Sequence, residues 1–150
     1  MTMNMKGIDN KIAADVMGWK YIQLESKPYI DEDEETGEEV EMWFHFTPFY
    51  SRPNMGNLPA DLWTPSTKIN QAMEVVKELL KQDLCIEIFL TKDDKPEVTI
   101  SYGYDHPKYP KGRCYDVGDE NIAVVEADTL EMAICLAAIK VVKKEGEIHD

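Results

Sequence analysis

The segment "LEMAICLAAIKVV" at 130–142 constrains the fold more than any other. Wound into a helix, it carries apolar side chains nearly all the way round, interrupted by Glu131 and Lys140. Such a helix must be covered on more than one side. It is expected to pack on a sheet and against a further element, which a second copy of the chain in a homo-oligomer could also supply. Asp128 and Glu131 stand at the three-residue spacing of a capping box and mark its start.

The other elements follow from periodicity. Ile69, Ala72, Met73, Val76, Leu79 and Leu80 fall at helical spacing and predict an amphipathic helix over 68–81. Pro65 disfavours helical geometry at Thr64, so Ser66 or Thr67 is expected to cap that helix. Ile8, Ile12 and Val16 predict an earlier helix over 8–17, ended by Gly18. Strands are read at 19–25, 40–46, 85–91, 97–103 and 121–127 from alternating apolar residues. The first two flank a polar loop and are expected to pair as a long-tipped hairpin. "FYSRPNMGNLPAD" at 49–61 reads as irregular, as does 104–121. The expected fold is a single α+β domain over 1–150, a layered α/β/α sandwich of four to five strands and three helices.

Charge is concentrated in one place. The net charge is −13, yet "DEDEETGEEVE" at 31–41 alone holds eight of the 29 acidic residues and no Lys or Arg. Outside it, 21 acidic residues stand against 16 basic ones. Self-repelling runs of this kind are solvated tips. The spacing lacks the alternating ligands and final bidentate Glu of a calcium loop. The overall field opposes binding of long nucleic acid.

Several function classes find no footing. Cys85, Cys114 and Cys135 are odd in number and widely spaced, and His45, His106 and His149 share no metal-ligand spacing. No metal and no cofactor are expected. The P-loop, GxSxG, HExxH and GxGxxG patterns are absent, so an enzyme is not expected. The longest apolar run, "MAICLAAI" at 132–139, is too short to span a bilayer, and the first residues have no signal-peptide core. No membrane partner and a cytoplasmic location are therefore expected.

Against this acidic background, "YGYDHPKYPKGRCY" at 102–115 gathers four tyrosines with Lys108, Lys111 and Arg113 against one acid, Asp105. The stretch at 49–63 adds Tyr50, Arg52 and Trp63. Aromatic faces stack on bases and guanidinium groups grip phosphates. A site for a small anionic, base-containing molecule would draw on these side chains and on Tyr104, His106 and Tyr109. Ser66 and Thr67 would present the amides of the helix that follows.

"DNKIAADVMGW" (9–19), "PSTKINQAMEVVKEL" (65–79) and "AICLAAIKVV" (133–142), in this order, resemble the phage ABA-sandwich domain, a family of phages and prophages of Bacillus and its relatives. The resemblance covers most of the chain. It implies an α/β/α sandwich and a phage origin, hence the host cytoplasm. It carries over no catalytic residue. The loops at 31–41 and 102–115 are more elaborate than in the simplest members, and Met73 stands where an aromatic residue is frequent.

Phage origin combined with the aromatic-basic loops favours a non-catalytic sponge. Such a protein would sequester a nucleotide second messenger of host immunity, a cyclic nucleotide or an ADP-ribose derivative. The alternative is a phage protein that binds and inhibits a host protein through its acidic surface.

Overall fold

The first helix opens where the sequence offers a cap. Asn4 accepts the Gly7 amide on its side chain at 2.7 Å, and α1 runs from Met5 to Lys11. It widens into a π-helical turn over Ile12–Val16. Gly18, at φ +70°, then reverses the chain so that the Trp19 amide reaches the Ala13 carbonyl at 2.8 Å. The expected helix over 8–17 is thus present and ends at the expected glycine. A computed structural model describes residues 4–108 and 121–148.

Among these residues the strands are β1 (Lys20–Ile22), β2 (Lys27–Glu32), β3 (Glu39–Phe44), β4 (Phe49–Arg52), β5 (Gly56–Pro59), β6 (Leu84–Phe89), β7 (Glu97–Tyr102) and β8 (Asn121–Glu126). The longer helices are α2 (Ile69–Leu80) and α3 (Leu130–Ile148). Together they form the expected layered α+β sandwich. Its strands, expected in one sheet, are shared among three small antiparallel sheets. By internal contacts the chain divides into two units, one of residues 1–19 with 63–150 and the other of residues 20–62.

In the larger unit the sheet order is β6-β7-β8. Leu84, Val98, Ile100, Ala123 and Val125 lie on one face of it and are buried. On the opposite face Cys85, Glu87, Phe89 and Val124 are exposed. Helix α3 packs on β7 and β8 and also against α1, the π-helical turn and α2. This is the cover on more than one side that its sequence demands. Ile134 and Ala137 are fully buried while Leu136 and Ile139 are half-buried. Helix α2 buries one stripe, Ala72, Val75, Val76 and Leu79, and leaves Ile69, Met73 and Leu80 exposed. The start of α3 differs from expectation in its cap. Thr129 Oγ1 accepts the Met132 amide at 3.2 Å, and Asp128 instead pairs with Lys95 at 3.0 Å.

The smaller unit corrects two expectations. "FYSRPNMGNLPAD" is regular: β4 and β5 pair from Phe49↔Pro59 to Arg52↔Gly56 around the turn Pro53–Met55. Asn54 (φ 62°) and Gly56 (φ 74°) supply the left-handed geometry of that turn, so the Pro-Asn-Gly content marks a hairpin. The segment after Trp19 does not pair with 40–46; β1 pairs with β4 instead. The expected hairpin forms farther along, between β2 and β3, from Lys27↔Phe44 to Glu32↔Glu39. Five of the eleven residues of the acidic run are therefore strand, and 33–38 form the turn. Asp33 closes that turn, its carbonyl accepting Gly37 N–H at 2.8 Å and its carboxylate accepting Glu35 N–H at 2.9 Å.

Candidate functional site

The residues expected to form a ligand site fall into two groups, and a third feature stands apart from them. Trp63 and Ser66 belong to a buried polar node that joins the entry of α2 to α1, and Thr67, beside it, is exposed. Trp63 is 1% exposed, meets Trp19 edge-on at 4.5 Å, and donates its indole N–H to the Asp9 carbonyl at 3.1 Å. The Ser66 amide donates to Asp9 Oδ1 at 2.9 Å, and the Thr64 amide donates to Gln71 Oε1. Trp63 is thus withdrawn as a stacking surface. Nor does Ser66 or Thr67 cap α2. The N-cap is Lys68, with no side-chain cap bond, and Ser66 and Thr67 lie in the preceding turn where the Thr64 carbonyl accepts the Thr67 and Lys68 amides. The Pro65 restriction sets the turn, and Asp9 takes the amide that a cap would otherwise leave available.

Burial raises the Asp9 carboxyl above its ordinary value of 3.8, opposed by the Ser66 amide, the neighbouring Ser66 hydroxyl and the Lys6 charge. That hydroxyl lies beside the carboxylate yet outside hydrogen-bonding geometry, and the Thr64 hydroxyl is also buried and unbonded. The linkage has a definite sign. Between 3.8 and the raised native value the folded chain holds a proton that the unfolded chain has lost, so stability falls as pH rises through that window and is level above it. Asp9→Asn keeps an acceptor for the Ser66 amide and is expected to abolish this slope in urea titrations. At neutral pH it should match or exceed the native chain. Asp9→Ala orphans the amide and should cost about 1–3 kcal/mol.

Ser66 and Thr67 also line a cleft of about 480 Å³ with Lys95, Glu126, Asp128 and Glu131. Three carboxylates face one ammonium, itself paired with Asp128. That field is unfavourable to an anion beside Ser66 and Thr67.

The second group is divided between the two units. Tyr50 is 1% exposed and packs its ring on Tyr21 at 5.7 Å, so it too is withdrawn from stacking on a ligand. Arg52 spends its guanidinium on its own hairpin, donating from Nε to Gly56 O and from Nη2 to Met55 O, both at 3.0 Å. Tyr104 is 72% exposed. His106 stacks on Tyr102 at 4.5 Å and accepts the Lys108 amide on Nδ1 at 3.0 Å. Tyr109, Lys111 and Arg113 lie outside the described residues, as does Cys114.

The third feature is one that sequence reasoning passed over. In the β2–β3 ribbon every residue of both strands is exposed. Directly opposed residues share a face, so Pro28, Trp43, Ile30 and Glu41 lie on one side with Glu32 and Glu39. Tyr29, Met42 and Phe44 lie on the other with Lys27, Asp31 and Val40. Ile30 is 70% exposed and Trp43 is 55% exposed. A hollow of about 470 Å³ is lined by Pro28, Tyr29, Ile30, Glu39 and Glu41. The signal was legible: both faces of each strand carry apolar residues, which a ribbon covered on one side does not need.

Other chemistry is sparse. Among the described residues no group of three or more His, Cys, Asp or Glu is placed to hold a metal ion. Cys135 is buried, and burial with the nearby Asp9 and Glu131 charges pushes its thiol up to about 12, so it is inert. No helix among the described residues is long and apolar enough to cross a membrane.

Comparison with known proteins agrees with the layering. The family model described as the phage ABA sandwich domain matches residues 10–139. No curated protein and no solved structure matches the chain.

Proposed function

The chain belongs to the phage ABA sandwich family, and from that premise we propose that it acts by occupancy, binding a host protein through the acidic, aromatic ribbon at 27–44. The observation that supports this reading is the ribbon itself. An isolated two-stranded hairpin has little stability of its own, and this one leaves Ile30, Trp43 and Phe44 uncovered beside eight carboxylates. Uncovered side chains of this size among charges are what a protein interface needs. No bond is broken; the complex blocks the host protein's own surface.

The test is photo-crosslinking from position 43 in host cells, followed by calorimetry with the purified partner. Replacing residues 31–39 by a short Gly-containing turn is expected to abolish the complex. It should leave the melting temperature within a few degrees, because the tip buries almost nothing. A partner bound equally by the shortened chain would remove the acidic tip from the reading, and one bound equally by Trp43→Ala would remove the ribbon. Capture of a nucleotide messenger is the second reading. It keeps the exposed Tyr104 and, four residues on in sequence, the exposed Lys108. Native mass spectrometry against a panel of cyclic nucleotides and ADP-ribose derivatives reads it directly, and a one-to-one adduct would move the site to that loop.

A further inference from the structure

The two faces of the β2–β3 ribbon differ in a way that selects a partner. On the Tyr29–Met42–Phe44 face the rings already touch one another, Tyr29 meeting Phe44 at 6.5 Å and Phe44 meeting Phe46 at 4.8 Å. The carboxylates on that face reduce to Asp31, with Lys27 at the other end. The opposite face sets Pro28 against Trp43, Ile30 against Glu41, and Glu32 against Glu39. It therefore places three carboxylates next to an exposed indole and an exposed isoleucine. From Pro28 to Ser51 the chain has no Lys or Arg to neutralise them.

Charge complementarity narrows the occupant. A nucleic acid or an anionic membrane surface is repelled by these carboxylates, and a second copy of the ribbon would bring the same three against them. A cationic polypeptide is favoured on every count. Arginine fits best, since its guanidinium stacks on an indole face and grips a carboxylate through two parallel hydrogen bonds, while its aliphatic stem lies on apolar surface. Resting on the reading of the ribbon as a protein-binding arm, we infer that its Pro28–Ile30–Trp43 face seats an arginine-bearing segment of the partner. The guanidinium lies over Trp43, its charge meets Glu41, and the alternate apolar side chains of the segment cover Ile30.

The full chain is titrated by fluorescence anisotropy with a short synthetic peptide alternating Arg and Leu, and with a Glu-Leu counterpart. The Arg-Leu peptide is expected to bind with an affinity that falls as salt rises, and the Glu-Leu peptide is expected not to bind. Trp43→Ala and Glu41→Gln should each weaken binding roughly tenfold, whereas Met42→Ala on the other face should leave it unchanged. All three side chains are exposed, so circular dichroism should report unchanged folding for each variant. Equal loss from Met42→Ala, salt-independent binding, or no binding of the Arg-Leu peptide overturns the inference. A crosslinked host protein that binds while the peptide does not would overturn this partner chemistry alone. Peptide binding with no host partner at position 43 would instead sink the broader reading.

Discussion

Trp63→Ala is expected to lower the free energy of unfolding by about 3–5 kcal/mol, the largest loss from any single truncation in the described structure. The indole is 1% exposed, so truncation opens a cavity inside the larger unit. It also leaves the Asp9 carbonyl without the 3.1 Å bond from Nε1 and removes the edge contact with Trp19 at 4.5 Å. Urea denaturation followed by circular dichroism measures the loss directly. For a chain of this length, each kcal/mol lowers the melting temperature by about 2–4 °C. Trp63→Phe separates the contributions, because it fills most of the space but cannot donate, and should cost appreciably less. A Trp63→Ala variant within about 1 kcal/mol of the native chain would mean that the node formed with Asp9 does not hold α1 to the entry of α2.

Ile134→Ala should follow at about 2–5 kcal/mol. Ile134 lies in the second turn of α3, which touches β7, β8, α1 and α2, and is 1% exposed. A cavity there is bordered by several elements that cannot all collapse into it together. Leu136→Ala removes as many carbon atoms as Ile134→Ala, yet it starts from a half-buried position, so its cost should stay below that of Ile134→Ala. The order of these two losses is the informative quantity. If Leu136→Ala were the more damaging, the cover on α3 would lie on the flank opposite to the one described.

Where a side chain's environment is set by its own neighbours in sequence, the reading from sequence held. The stripe from Ile69 to Leu80 gave α2 to within one residue at each end, because helical periodicity is a local property. The all-round apolar character of 130–142 demanded cover on several sides, and α3 has it. Gly18 ended the first helical segment because few other residues reach its φ of +70°. Alternation located the strands at 84–89 and 97–102 and their pairing. The shared motifs pointed to the phage ABA sandwich family, whose model matches residues 10–139.

The candidate site depended on long-range neighbours, and there the reading failed where the neighbours decided. Tyr50 and Trp63 resemble Trp43 in composition and setting, yet the first two are buried and the third stands 55% exposed. Aromatic rings are amphipathic enough for either fate, and what settles it is whether another element arrives to cover them. Asp9, distant in sequence, takes the amide of Ser66 and so converts an expected cap into a buried node. The pairing of β1 with β4 leaves β2 and β3 to pair with each other, and among the described residues every side chain of those two strands is exposed. Sequence by itself determined the helices, the strand periodicity, the family and the place where negative charge collects, since all of these are written in neighbouring residues. Only the tertiary structure decided which aromatic side chains are core and which face solvent, because burial is a property of contacts between segments that lie far apart along the chain.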